Sequence, residues 1–237
     1  MERLRDNLMQ KTIKFIYELE DSHYKIYFLN ACSLNRHIED TRVDYNIQAA
    51  DFLCFAETRF TTKDSLEDTK IIPFNQFRQD SQMSESNRRP AHGIAIYSKH
   101  LFQCDFPSNE SFEGIEIAIS RTTAMAYLAI INVYKPPNKP TKQLCELLLS
   151  IHKKHIKDSK VVVMGDFNID WNKETPDKNR LHKLMVQQLD YKQVVTDPTN
   201  DYGSTIDLIF TNIDNFQCGT LETYFSDHKA IWISLSQ

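Results

Sequence analysis

Short apolar runs separated by polar segments dominate the pattern of this chain. Runs rich in β-branched and aromatic residues predict strands. The predicted strands are residues 25–30, 51–56, 93–98, 112–120, 126–133, 161–164, 205–210 and 230–235. Apolar residues at helical spacing predict further elements. These are helices at 35–48, 141–157 and 179–189, and a leader helix, or the tail of a preceding domain, within residues 1–24.

Two segments of the pattern carry specific expectations. Residues 61–87 are polar and irregular, which predicts a long surface loop or pair of loops. The strand at 112–120 alternates Ile115, Ile117 and Ile119 with Glu116 and Ala118, which predicts one apolar face and one face open to solvent.

The order of elements indicates the fold class. Strands outnumber helices, and a regular alternation of strand and helix is absent from the predicted order. A doubly wound parallel sheet needs a crossover helix after nearly every strand. We therefore expect an α/β protein in which two mixed sheets pack face to face with helices outside, formed by residues 25–237 as one catalytic domain.

Composition narrows the class of protein and its partners. The 237 residues are 41% hydrophobic, with a net charge of −4, so a nucleic-acid partner must be held by a local basic patch or by metal ions. The five cysteines are far apart and form no CxxC pair, which favours reduced thiols. Neither a signal peptide nor an apolar run of membrane-spanning length is evident. A soluble, intracellular protein is expected.

Polar residues stand at or just after the ends of the apolar strands. The residues with this placement are Asn30, Glu57, Tyr134, Asp166 with Asn168, Asp207, and Ser226-Asp227-His228. Asp166 and Asn168 lie two apart after the run Val161–Met164, so on an extended segment their side chains share a face. Any one of these could be an ordinary turn. Together they predict a rim that holds a divalent cation and a phosphate.

Asp207 and His228 are the strongest pair within this set. Asp207 interrupts the apolar run of residues 206–210, where a charge is costly without a partner. His228 precedes the last strand and can supply that partner. A carboxylate that holds one imidazole nitrogen fixes the tautomer and stabilises the imidazolium, as in acid–base dyads.

Basic residues offer two candidate surfaces for a phosphate backbone. Arg88, Arg89 and His92, in a loop ahead of a predicted strand, are the preferred candidates for nucleic-acid contact. The cluster Lys153, Lys154, Lys157 and Lys160 precedes the strand 161–164, at the end opposite the predicted rim. That cluster is interpreted as a solvated surface.

The order of the polar motifs resembles a known superfamily. The motifs are Leu29-Asn30, Ala56-Glu57-Thr58, Asn132-Val133-Tyr134, Gly165-Asp166-Phe167-Asn168, Ile206-Asp207-Leu208-Ile209-Phe210 and Ser226-Asp227-His228. They are similar to those of the endonuclease/exonuclease/phosphatase superfamily, and their wording resembles the apurinic-like endonuclease domains of non-LTR retrotransposons and related mobile elements. The resemblance implies a four-layer α/β sandwich.

The resemblance also implies a role for each motif. Glu57 is then the main Mg²⁺ ligand, with Asn30 and Asp227 nearby, and Mn²⁺ is expected to substitute for Mg²⁺. Asp166 orients or deprotonates the attacking water, and Asn168 holds the scissile phosphate. His228, paired to Asp207, binds the phosphate or acts as acid–base, and Tyr134 contacts the phosphate or the leaving oxygen. Ser204 and Thr205 are candidate contacts to the nucleic acid.

Two departures from the family pattern refine the expected substrate. Abasic-site repair enzymes usually carry an acid at the position of Cys32 and a Trp shortly before that of Asp207, where this chain has Gly203-Ser204-Thr205. The resemblance therefore implies a DNA nickase that leaves 3′-hydroxyl and 5′-phosphate ends, acts in the nucleus, and shares a polyprotein with a reverse transcriptase or helicase. The alternative is a phosphatase or a deadenylase or RNase on the same scaffold.

Overall fold

The strands of the protein form two sheets. The computed structural model describes residues 16–19, 23–81, 92–106, 109–112, 114–122 and 127–236. In chain order the strands are β1 (His23–Asn30), β2 (Phe52–Ala56), β3 (Phe74–Gln79), β4 (Ile94–Lys99), β5 (Cys104–Asp105), β6 (Asn109–Phe112), β7 (Ile115–Thr122), β8 (Leu128–Tyr134), β9 (Lys160–Asp166), β10 (Lys192–Gln193), β11 (Asp207–Thr211), β12 (Phe216–Leu221) and β13 (Ala230–Ser236).

Both sheets are mixed. The first has the order β12-β13-β1-β2-β4-β3, and the second has the order β10-β11-β9-β8-β7-β5 with β6 paired to β7. Strand β1 is parallel to β2, and β8 is parallel to β9. The other named pairings are antiparallel.

Helices cover the outer faces of the sheets. They are α1 (Leu34–Val43), α2 (Tyr45–Ala49), α3 (Thr141–Ile151) and α4 (Pro176–His182), with a 3₁₀ turn at Ile16–Glu18 and π-helical turns at His152–Ile156 and Lys183–Gln188. Leu144, Leu148 and Leu181 pack on the second sheet, whereas Leu34 and Ile47 pack on the first. A third apolar core fills the space between the sheets. The predicted four-layer α/β sandwich is confirmed.

Two predicted elements are described differently by the structure, and some strands were not predicted. The segment 61–87 contains a strand, β3, because Phe74 and Phe77 give its otherwise polar sequence enough apolar surface to pair at the sheet edge. The helix predicted at 35–48 is two helices, because the Asp44 carboxylate caps the second one by accepting N–H groups of Asn46 and Ile47. Strand β12, which includes Gly219, was not predicted.

The prediction that β7 has a solvent-facing side is wrong. The side of β7 that carries Glu116, Ala118 and Ser120 faces the opposite sheet, and all three residues are buried. The Ile residues of the other side are buried against the helices. A strand in the interior of a four-layer sandwich is covered on both faces, which a single alternating pattern does not reveal.

Two expectations concern the ends of the chain and the membrane. Most of the predicted leader, residues 1–24, lies outside the described residues, but Ile16 and Leu19 are buried in the outer core of the first sheet. Among the described residues, no helix is both long and apolar enough to cross a membrane.

Candidate active site

Strand ends from both sheets meet at one rim of the sandwich. Asn30 ends β1, and Glu57 follows β2, which is parallel to β1. In the second sheet, Tyr134 and Asp166 are register partners at the ends of β8 and β9. Parallel strands bring their carboxyl ends to the same edge, so the topology itself gathers these four side chains.

The antiparallel neighbours complete the rim from their first residues. Asp207 opens β11 directly opposite Asp166. His228 lies just before β13, which runs antiparallel to β1 and therefore begins where β1 ends. Asp207 was predicted inside a strand, and the structure places it at the first position, fully buried.

Asn30 links the two sheets. Its Nδ2 donates to Glu57 Oε1 at 3.1 Å and to Asp166 Oδ2 at 2.9 Å. Its Oδ1 accepts the backbone N–H of Cys32 at 3.1 Å. One amide thus fixes the distance between a carboxylate of the first sheet and a carboxylate of the second.

The predicted dyad of Asp207 and His228 is formed. His228 Nδ1 lies 2.9 Å from Asp207 Oδ2 and 3.1 Å from Asp207 Oδ1. The Thr199 hydroxyl accepts the Asp207 backbone N–H at 3.0 Å, which limits movement at the start of β11. Burial lowers the pKa of His228, but the hydrogen bond and charge of Asp207 outweigh burial and raise it to about 9. The imidazole is therefore protonated at neutral pH.

Asp166 is buried among hydrogen-bond donors. Its carboxylate accepts the backbone N–H of Asn168 at 2.9 Å, Asn168 Nδ2 at 3.1 Å and the amide of Asn30. Burial, followed by the nearby charge of Asp207, raises the pKa of Asp166, whereas His228 and the donors oppose that rise. A carboxylate with a raised pKa is suited to accept a proton near neutral pH.

Asn168 is held in place from its other side as well. Its Nδ2 also donates to the Lys135 carbonyl at 3.0 Å, and its backbone is left-handed, with φ of 49°. Lys135 is itself buried, and its Nζ donates to the carbonyls of Pro136 and Lys139. A buried lysine thus stabilises the loop that positions Asn168.

Glu57 and Tyr134 form the third part of the rim. Tyr134 Oη donates to Glu57 Oε1 at 3.2 Å, and Arg59 lies 3.6 Å from Glu57 Oε2. Burial of the phenol, followed by the charges of Glu57 and Asp166, raises the pKa of Tyr134 well above its ordinary value. Tyr134 is therefore a hydrogen-bond donor at any working pH.

Asp227 contacts a residue that sequence reasoning did not assign to the site. Cys32 Sγ donates to Asp227 Oδ1 at 2.9 Å, and Ser226 Oγ donates to the Asn30 carbonyl at 2.7 Å. Burial, followed by the hydrogen bond to Asp227, raises the pKa of Cys32 to about 12. The thiol is neutral and ties the loop after β1 to the loop before β13.

The donor set fits a hard divalent cation. Glu57, Asp166, Asp207 and Asp227 bring four carboxylates to the rim. Among the residues that the structure describes, the positively charged side chains in contact with them include His228 and Arg59. Atoms of Asp166, Asp207 and His228 lie within 4.8 Å of one another, which also suits an ion. His228 is already engaged by Asp207, and Glu57, Asn30 and Asp227 carry the other side-chain oxygens at the rim that could hold a cation. Oxygen ligands of this kind suit Mg²⁺ and Mn²⁺.

The residues predicted to contact nucleic acid differ in their placement relative to the rim. Arg88 and Arg89 lie outside the described residues. The His92 ring is half-buried 5.9 Å from the Tyr134 ring, and its Nδ1 has no hydrogen-bond partner among the described residues. Ser204 is half-buried, and its backbone N–H donates to Asn200 Oδ1, a residue that forms a β-bridge with His228. Thr205 is buried and donates to the Asp197 carbonyl, so its hydroxyl supports the loop.

Two more buried polar residues near the rim were given no role from the sequence, although Asn132 stands in one of the motifs. Glu116 accepts the Gly93 N–H at 2.9 Å, and Asn132 Nδ2 donates to the carbonyls of Phe55 and Ala95 across the two sheets. A polar residue within an apolar strand was the available signal. For Glu116, strict alternation made a solvent-facing position the simpler interpretation.

The fold and site define a class: four-layer α/β sandwiches with an acidic, amide-lined rim and a His–Asp pair. The model of the Endonuclease/Exonuclease/phosphatase family matches residues 28–228, which include every predicted rim residue. The chain belongs to the endonuclease/exonuclease/phosphatase family.

Comparison with solved structures supports the same fold. The endonuclease domain of TRAS1, a telomere-specific non-LTR retrotransposon, has a TM-score of 0.71 at 15% identity, covering 90% of this chain and 98% of that one. The AP endonuclease LMAP from Leishmania major has a TM-score of 0.72 at 12% identity, covering 93% and 90%. An AP endonuclease from Archaeoglobus fulgidus has a TM-score of 0.67 at 18% identity, covering 90% of this chain and 100% of that one. No curated protein matches the chain by sequence.

Proposed function

We propose that the protein is a divalent-metal-dependent DNA endonuclease that nicks one strand and leaves 3′-hydroxyl and 5′-phosphate ends. One observation carries the proposal. A buried carboxylate with a raised pKa, Asp166, lies beside a protonated histidine, His228, and their ligand atoms lie within 4.8 Å with those of Asp207. A proton acceptor and an imidazolium at this separation can contact the attacking water and an oxygen of the same phosphate.

The base and the acid divide the reaction between them. Asp166 takes a proton from the attacking water, whose oxygen forms the new bond to phosphorus. The bond between phosphorus and the 3′-oxygen breaks, and that oxygen takes a proton from solvent water. His228 donates a hydrogen bond from Nε2, the nitrogen away from Asp207, to the phosphate oxygen on which charge develops.

The other rim residues position the substrate. Asn168 presents its amide to the phosphate, and Tyr134 presents its phenol. The hydrogen bond from Asn168 to Asp166 and the one from Tyr134 to Glu57 fix their orientations. Glu57, Asn30 and Asp227 would hold the cation. Mg²⁺ or Mn²⁺ bound there supplies positive charge that stabilises the transition state.

DNA is the proposed substrate on two grounds. The solved structures with this fold include proteins named as endonucleases, of a retrotransposon and of AP-site type. The acidic rim can bind a polyanion through the cation, with His92 and Ser204 as flanking contacts and Arg88 and Arg89 as further candidates. We propose a mobile-element enzyme that acts in the nucleus, with residues 25–237 as its catalytic domain and a reverse transcriptase or helicase on the same polyprotein.

Supercoiled plasmid provides the direct test. Incubation with Mg²⁺ should yield open-circular DNA, and EDTA or Asp166→Ala should prevent it. Asp158→Ala is the matched control, since Asp158 is an exposed acid at the opposite end and should leave nicking unchanged. End-labelling of the product should show a 3′-hydroxyl.

Assays with other substrates can contradict the proposed activity. Release of phosphate from an inositol phosphate, or of AMP from poly(A), without any plasmid nicking would reject the DNA endonuclease and favour a phosphatase or deadenylase. Cleavage confined to abasic DNA would reject action on intact duplex.

A further inference from the structure

Glu116 is a buried acid next to the rim that the proposed chemistry does not use. It lies in β7 opposite Tyr134 of β8 and is only 6% exposed. Both faces of β7 are covered, so this carboxylate points into the space between the sheets. A buried carboxylate is costly unless it has hydrogen-bond partners. A specific contact therefore has to account for its position.

The contact of Glu116 is with the chain that supports Glu57. Glu116 Oε2 accepts the Gly93 N–H at 2.9 Å. The Gly93 carbonyl accepts the Thr58 N–H at 3.0 Å, and the His92 carbonyl accepts the Arg59 N–H at 2.9 Å. Thr58 and Arg59 directly follow Glu57, so the acid of one sheet is linked through two backbone bonds to the proposed metal ligand of the other.

The backbone at this point needs such support. Glu57 has φ of 49° and Arg59 has φ of 55°, values that non-glycine residues adopt at a cost. Gly93 has φ of 100°, and a Cβ there would lie 2.5 Å from Thr58 Oγ1. The two segments therefore pack so closely that a shift of one moves the other. Conformations of this kind persist where the surrounding structure fixes them.

We propose that Glu116 is a positioning residue that holds Glu57 in its metal-binding geometry by accepting the Gly93 N–H. The inference rests on the proposed function for the role of Glu57. Glu116 acts through its hydrogen-bond acceptor and touches neither metal nor substrate. Asn132 provides a second anchor on the same strands, since it bonds Phe55, two residues before Glu57, and Ala95, two residues after Gly93.

Two variants separate the hydrogen bond from the charge. Glu116→Gln keeps an oxygen acceptor and removes the charge, whereas Glu116→Met keeps similar bulk and removes the strong acceptor. Hydrogen exchange of the Thr58 and Arg59 amides, measured without metal, reports on positioning alone. Calorimetric titration with Mn²⁺ reports on the consequence. Glu146→Ala, at a solvent-exposed ion pair on α3, is the control.

The expected results differ between the two variants. In Glu116→Met, the Thr58 and Arg59 amide hydrogens should exchange about tenfold faster and Mn²⁺ should bind about tenfold more weakly, as is typical when a residue that orients a metal ligand is removed. Glu116→Gln and Glu146→Ala should match the wild type in both measurements.

Two outcomes would overturn the proposal. Unchanged amide exchange in Glu116→Met would remove the link from Glu116 to Glu57. Faster exchange of the Thr58 and Arg59 amides in Glu116→Gln would show that the charge or packing of Glu116, and not its hydrogen-bond acceptor, supports this segment. This variant tests the proposal even where Glu116→Met does not fold. If the wild type binds no Mn²⁺, the metal site of the proposed function fails, while the exchange measurement still tests the positioning role.

Discussion

The two ends of the sandwich both carry clusters of charged residues, but they are built differently. At the rim, Asp166 and Asp207 are buried and bonded to residues from other strands. At the opposite end, a cleft of about 730 Å³ is lined by residues that include Lys153, Lys154 and Lys157, which are exposed on the turn after α3. Arg121 there pairs with Asp105 across neighbouring strands at the surface.

The difference shows why charge density alone does not identify a site. Exposed charges in water interact weakly and are screened by salt, so they can be rearranged at little cost. Buried carboxylates are costly unless donors are fixed around them. The rim keeps two of them beside a protonated histidine, and both sheets contribute to that arrangement. The basic cleft has no comparable cross-sheet network among its described residues.

Removing the base or the acid should have the largest effect. Asp166→Ala and His228→Ala should each lower the rate of plasmid nicking by roughly 10³-fold or more, because proton transfer and charge stabilisation are lost together. Single-turnover nicking assays with Mg²⁺ measure this loss. Thermal unfolding of each variant serves as the check on folding. Nicking within tenfold of wild type in both variants would show that the rim is not the catalytic centre.

The dyad predicts a pH dependence of known sign. Since the pKa of His228 is raised to about 9, its imidazolium is present below that pH, and nicking should fall as pH rises through about 9. In Asp207→Asn the charge that raises this pKa is lost and burial lowers it. The alkaline decline should therefore move to lower pH, with a rate reduced roughly 10²-fold at neutral pH. Rates of nicking across the pH range measure the shift.

The alkaline decline must belong to His228 for this interpretation to hold. A decline at the same pH in Asp207→Asn and in the wild type would assign it to another group. Asp158→Asn is the control, since that acid is exposed at the opposite end of the sandwich.

The rim residues could be predicted from the sequence because each is identified by the apolar run next to it. Each of Asn30, Glu57 and Asp166 follows an apolar run, and side chains at the ends of parallel strands meet at one edge. The pairing of Asp207 with His228 followed from the cost of a charge in an apolar strand. For these residues, strand assignment and burial were enough to predict the neighbourhood.

The supporting residues could not be predicted because their partners are distant and their roles depend on layering. Glu116 alternates with isoleucines as a solvent-facing residue would, and only the packing of a second sheet over β7 buries it. The Cys32 thiol reaches Asp227 across loops that are remote in sequence. Strand β3 is polar because it forms a sheet edge, where alternation is weak.

Loss of the amide that joins the two sheets should have a smaller, structural effect. Asn132→Ala removes the two hydrogen bonds to Phe55 and Ala95 from a fully buried position and leaves a cavity. The free energy of unfolding should fall by about 2 kcal/mol. Urea denaturation followed by circular dichroism measures this change. A loss below about 0.5 kcal/mol would show that the bridge between the sheets contributes little to stability.

The basic cleft should contribute least, and this is the sharpest test of the comparison. Lys153→Ala with Lys157→Ala removes two exposed charges at the end remote from the rim. If DNA binds only across the rim, nicking should stay within about twofold of wild type, and its salt dependence should not change. A phosphate contact would instead lower the salt slope by roughly one for each lysine. A smaller salt slope together with weaker DNA binding would show that the cleft also binds DNA. The exposed lysines would then contribute to binding although they take no part in the chemical step.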